Sequence, residues 1–341
     1  MSPVPNRPSR GPVARRILLL CVVIPALVAL PVWAFAWAAA DPQPHELPIG
    51  VAGPTAATTQ LEDRLAAHEG AFDVHTYPSA EDARTAIENR EVYGAVVASS
   101  SGTELMTASA AAPAVAQTLT AMLAPPDAAS DQPPTTVTDV VPADPDDPRG
   151  SALGSMVLPL VLVSVITSLI VIMTVRPGWQ QVLMIAAAAM IGAAVATAIV
   201  QGGLGVLSGS WLANLAAPAL TIGAIASALV GLTSAFGRAG IALIAPLMLF
   251  FGNPWAGASS SPYLLPEPAG QIGQLLPPGA GATMLRSTSF FDGAGSGTPM
   301  LVLLLWIVFG VGAISYGALR RREPARVLER AAQPLVSAID R

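Results

Sequence analysis

Six apolar stretches divide the chain, at 17–40, 151–175, 179–200, 211–236, 241–255 and 299–319, and none contains Asp, Glu, Arg or His. Each approaches the ~20 residues that a bilayer crossing needs. The fifth is the shortest and has alternative starts at Arg238 and Ala239. Between the first two the period changes. "LPIGVAG", "AFDVHTY", "EVYGAVVAS", "TELMTAS" and "TTVTDVV" read as strands, and "TAATTQLEDRLAAHEG", "SAEDARTAIENR" and "APAVAQTLTAML" as helices. Ser79 stands as an N-cap with Asp82 three residues on. The order β-α-β-α-β-β-α-β predicts a small α/β lobe with a mainly parallel sheet, and the Pro-rich runs "DPQPHELP" and "PADPDDP" bracket it.

The stretch 250–299, "FFGNPWAGASSSPYLLPEPAGQIGQLLPPGAGATMLRSTSFFDGAGSGTP", is rich in Gly, Pro and Ser, and its only charges are Glu267, Arg286 and Asp292. "PEPAGQIGQLL" opens as a helix should, with Glu267 near the positive N-terminus and Pro268 in the first turn. A second short helix follows the Pro277-Pro278 break and carries Arg286. Two helices of ~10 residues are too short to span, which suits a re-entrant or interfacial pair at 256–298; a plain surface loop is the alternative.

Small residues recur every four positions in the fourth stretch, at Ala219, Gly223, Ser227, Gly231 and Ala235, and in the third at Ala188, Gly192 and Ala196. Such stripes let helix backbones approach closely in lipid. They serve packing within one chain or a homodimer interface, and the spacing alone does not choose. Pro25, Pro159, Pro218 and Pro246 are candidate kinks.

Only 11% of the residues are charged, against about a quarter in soluble domains. All 17 basic residues are Arg, a skew typical of high-GC bacterial genomes, and without Lys the chain holds no phosphate-cradling Walker loop. The Arg positions fix an expected orientation. With the N-terminus in the cytosol, six crossings place twelve of the 17 Arg inside and nineteen of the 22 acids outside. The expected organisation is a cytoplasmic tail (1–16), a first transmembrane helix (17–40), an extracytoplasmic α/β domain (41–150), helices two to five (151–255), the helical segment 256–298, a sixth helix (299–319) and a cytoplasmic tail (320–341). Arg15, Arg16, Arg320, Arg321 and Arg322 are then placed to hold the anionic inner leaflet. The first stretch also reads as a cleaved signal peptide. Its apolar run is longer than the usual ~7–15 residues, however, and Trp33 and Trp37 fit an interfacial belt.

No motif points to an enzyme. The single Cys21 lies in an apolar run; His45, His68 and His75 lack metal-ligand spacing; the acids are scattered singly; "VAGP" is not continued into a dinucleotide fingerprint. No catalytic, cofactor, metal or nucleic-acid site is expected. The absence of ionisable residues from the apolar stretches excludes the usual proton and ion relays.

One anchor helix, an exported lobe and five further helices, with outward helical elements before the last, resemble an ABC-2-type exporter permease, in the branch related to the phage infection protein. The resemblance lies in "LPIGVAGP", "AIENREVYGAVV" and "NPWAG…LLPPGAGATMLRSTSFFDGAG". It implies a subunit that dimerises, is driven by a separate ATP-binding subunit and exports an amphiphile across a bacterial cell membrane. The other class that fits is a non-transporting membrane protein whose exported domain binds a ligand, an envelope component or a partner protein.

Overall fold

The structure is a computed structural model that describes residues 11–40, 42–99, 102–123 and 135–339, and the side chains of these except at 11–20 and 322–339. Helix α1 (Gly11–Ala40) leads into the lobe, built in the order β1 (Leu47–Ala52), α2 (Thr55–Ala66), β2 (Phe72–Tyr77), α3 (Ala80–Glu88), β3 (Gly94–Ser99), β4 (Gly102–Thr107), α4 (Pro113–Leu123) and β5 (Thr136–Asp139). The bundle follows: α5 (Ser151–Thr174), α6 (Trp179–Thr197) with a π-helical continuation to Gly203, α7 (Trp211–Phe236) and α8 (Arg238–Pro246). Two short helices, α9 (Ala269–Leu275) and α10 (Pro277–Phe290), precede α11 (Gly297–Ile339).

Among the described residues five helices are long and apolar enough to cross a membrane: Cys21–Ala40, Ser151–Thr174, Trp179–Gly203, Trp211–Phe236 and Gly297–Arg321. The fifth apolar stretch of the sequence forms a shorter apolar helix than these, from Arg238 to Gly252. It has the nine residues of α8 and six more in a π-helical continuation, about 22 Å of rise at ~1.5 Å per residue against a hydrocarbon thickness of ~30 Å. A 3₁₀ turn at Pro254–Ala256 then redirects the chain. At the other end, α11 does not stop with its apolar part but runs on to Ile339.

The lobe follows the expected element order. Its sheet runs β2-β1-β3-β4-β5, antiparallel only between β3 and β4. Alternation along β3 and β4 sends Ala95, Val97 and Met106 to one face, under Ala83, Ala86 and Ile87 of α3. Val96 and Leu105 go to the other, under Leu61 and Leu65 of α2 and Val115 and Leu119 of α4. A sheet covered on both faces explains why β3 reads as continuously apolar. Ser79 caps α3 as expected: its hydroxyl accepts from the Asp82 backbone N–H at 3.1 Å and donates to the Asp82 carboxylate at 2.7 Å.

In the bundle, α7 is central. Within its most apolar window 89% of the residues are buried, against 11–33% for the other four, because α5, α6, α8, α10 and α11 surround it. Lipid is as apolar as the helices, so dispersion at close range has to hold them together. A Cβ built on Gly231 would lie 2.4 Å from the Gly310 carbonyl oxygen of α11, and one on Gly310 would lie 2.3 Å from the Ser227 carbonyl carbon. Two turns further along, Gly317 meets the Ser234 backbone in the same way. At Gly223 a Cβ would meet the Ile307 side chain, its Cδ1 at an ordinary 3.6 Å and its Cγ1 at 3.9 Å.

The turn-rich segment before α11 clasps the lobe. Leu264 completes the apolar cluster on one face of the sheet, and Phe291 completes the other. Between them, Arg90, at the end of α3, donates from Nη1 to the Thr283 carbonyl at 3.1 Å and to the Ser287 hydroxyl, and its guanidinium lies 5.2 Å from the Phe291 ring centroid. The opposite side of α10 rests on α7, where Gly281 abuts the Thr221 side chain. The lobe and the bundle therefore share one block of packing.

Three substitutions test this geometry. Gly231→Ala forces α7 from α11 and is expected to cost about 1–3 kcal/mol, while Gly223→Ala leaves thermal unfolding of the purified protein almost unchanged; equal effects at the two glycines would refute the assigned contact. Arg90→Ala removes two hydrogen bonds from a charged donor and is expected to cost about 1.5–3 kcal/mol, read as faster proteolysis at the lobe boundary with the bundle still folded.

Candidate functional site

A cleft of about 460 Å³ opens where the lobe meets the clasping segment. The entry to β1 contributes His45, Glu46 and Pro48; the turn from α3 to β3 contributes Arg90, Glu91 and Tyr93; Tyr263, Glu267, Gln274 and Thr283 form the facing wall. The elements are locked in place by their own bonds. The His45 backbone N–H donates to the Tyr263 carbonyl at 2.9 Å, and the Tyr93 and Tyr263 rings meet edge to face at 5.5 Å. Gln274 donates to the Ala256 carbonyl at 3.0 Å and accepts from the Thr283 hydroxyl at 2.7 Å.

The charges of the cleft are uneven. Arg90 is engaged with α10, whereas the carboxylates of Glu46, Glu91 and Glu267 stand on exposed residues. Burial pushes the Tyr263 hydroxyl above its ordinary value of 10.0; Tyr93, Asp73 and Glu46 add to this, and the charge of Arg90 works against it. Tyr263 is therefore a neutral donor and acceptor through the physiological range.

Arg286 sits deeper. It is 3% exposed, and its Nη2 donates to the Ala258 carbonyl at 2.6 Å. Burial, with the nearby charge of Arg90 second, pulls it down to about 10 against a weaker opposing effect of Tyr93, so it stays protonated at neutral pH and ties α10 to the strand of chain entering the clasp. Nearby, Asp147 caps α5. Its carboxylate accepts from the backbone N–H groups of Ser151 and Ala152, both at 2.8 Å, and from the Ser151 hydroxyl at 2.7 Å. Partial burial raises its pKa, but these hydrogen bonds outweigh burial and hold the carboxyl below its ordinary value.

The residues singled out in the sequence are spread over the molecule. Glu267 and Pro268 stand just before α9, Pro277 and Pro278 form the buried first turn of α10, and Arg286 is inside it. Gly223, Ser227 and Gly231 are buried in α7, with Ala219 and Ala235 half-buried toward its ends. Arg320 and Arg321 are exposed where the apolar part of α11 ends. The side chains of Arg15, Arg16 and Arg322 lie outside the described residues. Only Glu267 of these lines the cleft. Arg90, Tyr93 and Tyr263 escape a sequence reading, since no spacing links Arg90 to an acceptor 193 positions away.

Among the described residues no three His, Cys, Asp or Glu side chains come together to hold a metal ion. Aromatic walls, rim carboxylates and one fixed guanidinium give the cleft apolar ring surface beside hydrogen-bonding groups.

No curated protein and no solved structure matches this chain. A family model does match: residues 15–177, just under half of the 341 residues and covering most of α1, the lobe and α5, are similar to the ABC-2 family transporter protein family.

Proposed function

We propose that the chain is the membrane permease subunit of an ABC-2-type exporter, in the branch related to the phage infection protein. It moves an amphiphilic substrate outward and takes its energy from a separate ATP-binding subunit. The observation that carries the reading is the match over residues 15–177, where an anchor helix, a soluble lobe and a second helix of membrane length follow one another. The absence of Lys removes the Walker loop from this chain, so hydrolysis falls to a partner.

In this reading the bundle crosses a bacterial cell membrane six times, α8 and its continuation making the short fifth crossing. Both termini are cytosolic, the lobe faces outward, and α9 and α10 form a re-entrant pair beneath it. The Arg distribution supports this orientation. The contacts of Gly231 and Ser227 with α11 favour packing within the chain for the small-residue stripe and leave other faces for a homodimer. Arg15, Arg16, Arg320, Arg321 and Arg322 hold the inner leaflet. A second reading, a non-transporting membrane protein whose lobe binds a ligand, an envelope component or a partner, is favoured by the 460 Å³ cleft.

Cys21 is the only cysteine, so Cys21→Ser gives a background for labelling. Glu69→Cys in the lobe is expected to react with an impermeant maleimide in intact cells, and Arg238→Cys only after permeabilisation; the reverse pattern overturns the orientation. Affinity isolation of the full chain from native membranes is expected to bring down an ATP-binding subunit whose ATPase activity depends on the chain. Isolation of the chain without any ATPase would favour the second reading.

A further inference from the structure

At the end of the bundle remote from the lobe, the turn from α5 to α6 and the end of the apolar part of α11 enclose a cavity of about 330 Å³. Its polar lining among the described residues is Thr174, Arg176, Gln181, Thr233, Ser234 and Arg321, with no carboxylate among them. Most of this lining is already satisfied. Thr174 and Thr233 bond back to the carbonyls of Ile170 and Leu229. Gln181, 2% exposed, donates to the Val175 carbonyl and accepts from the Ser234 hydroxyl, both at 3.1 Å, which fixes the turn against α7.

The two arginines are different. Among the described residues the ion pairs are His75 with Asp73 and Arg84 with Glu81, all in the lobe. Arg176 and Arg321 therefore bring two guanidinium groups from separate elements to one cavity, and among the described residues no acid pairs with either. The neighbouring Arg320 is occupied elsewhere, 5.8 Å from the Tyr316 ring centroid. Helix α6 begins three residues after Arg176 without a side-chain cap, and its unpaired N–H groups add partial positive charge at the same end. Two unneutralised forks beside a helix N-terminus suit a phosphate group. The surroundings suit what a lipid phosphate carries: Met173, which lines the cavity, is 84% exposed, and Trp179 and Leu319, each two residues along the chain from a lining residue, are 68% and 63% exposed, offering apolar surface to acyl chains.

We propose that this cavity binds the headgroup phosphate of an anionic phospholipid, held between Arg176 and Arg321. The proposal rests on the bundle lying in a bilayer and is independent of transport or of an ATPase, so its test reads neither. The full chain is released from nanodiscs of phosphatidylcholine, with or without phosphatidylglycerol, and bound lipid is counted by native mass spectrometry. Wild type is expected to retain phosphatidylglycerol in preference to phosphatidylcholine. Arg176→Gln with Arg321→Gln is expected to weaken this retention by about tenfold, the loss of at least one charge-assisted hydrogen bond. Arg238→Gln, an exposed arginine of the α7–α8 turn outside the cavity lining, is expected to leave it unchanged. Equal retention by the double variant, or an equal loss in Arg238→Gln, would overturn the site. Displacement of the lipid by millimolar inorganic phosphate would overturn the lipid assignment in favour of a free anion.

Discussion

The bundle depends on how closely α7 can approach its neighbours. In water, burial of apolar surface would pull these helices together, but a hydrocarbon surround removes most of that drive. What remains is contact between atoms, each worth only ~0.1–0.2 kcal/mol and lost within an ångström of separation. Backbone-to-backbone contact at Ser227, Gly231 and Gly310 is therefore a condition of assembly, and it explains why the most enclosed helix carries Ala, Gly, Ser and Thr on its buried sides. The helices outside it can expose bulky Leu, Ile and Met to lipid at no cost.

The lobe depends on a different constraint. Its sheet is covered on both faces, but Leu264 and Phe291, which close the two clusters, come from the segment that precedes α11. Arg90 adds directed bonds where apolar contact alone would leave the angle between lobe and bundle free. The low charge of that segment follows from its position. Its helices are packed between the lobe and α7, and a charged group there needs dedicated partners, as Arg286 finds in the Ala258 carbonyl.

Much of this is legible in the sequence because periodicity reports burial directly. The switch from long apolar runs to alternation and back marks the lobe, and Ser79 with Asp82 marks the start of α3. The four-residue spacing of Gly223, Ser227 and Gly231 marks the face that meets α11, although close approach is confined to Ser227 and Gly231. Its counterpart is harder to read: Gly310 and Gly317 stand among Gly312, Ala313 and Ser315, and which of these small residues matters depends on the face of α11 that lies opposite. The 241–255 stretch is displaced rather than lost: the helix takes the alternative start at Arg238 and runs through its π-helical continuation to Gly252, before a 3₁₀ turn that hydropathy does not show. The cleft is not legible at all. Its walls come from positions far apart in the chain, and Tyr93, Tyr263 and Arg90 have no local pattern that distinguishes them from ordinary lobe residues.

Helix α11 begins at the clasp, touches α7 at Gly310 and continues without a break to Ile339. From Gly310 to its end it extends about 44 Å at ~1.5 Å per residue. Up to Arg321 it has no proline beyond its first turn, so the part that passes α7 is a continuous rod that carries a small shift of the lobe's seat toward the opposite end of the molecule. Pro324 and Pro334, which have no N–H to give, mark where that rod yields.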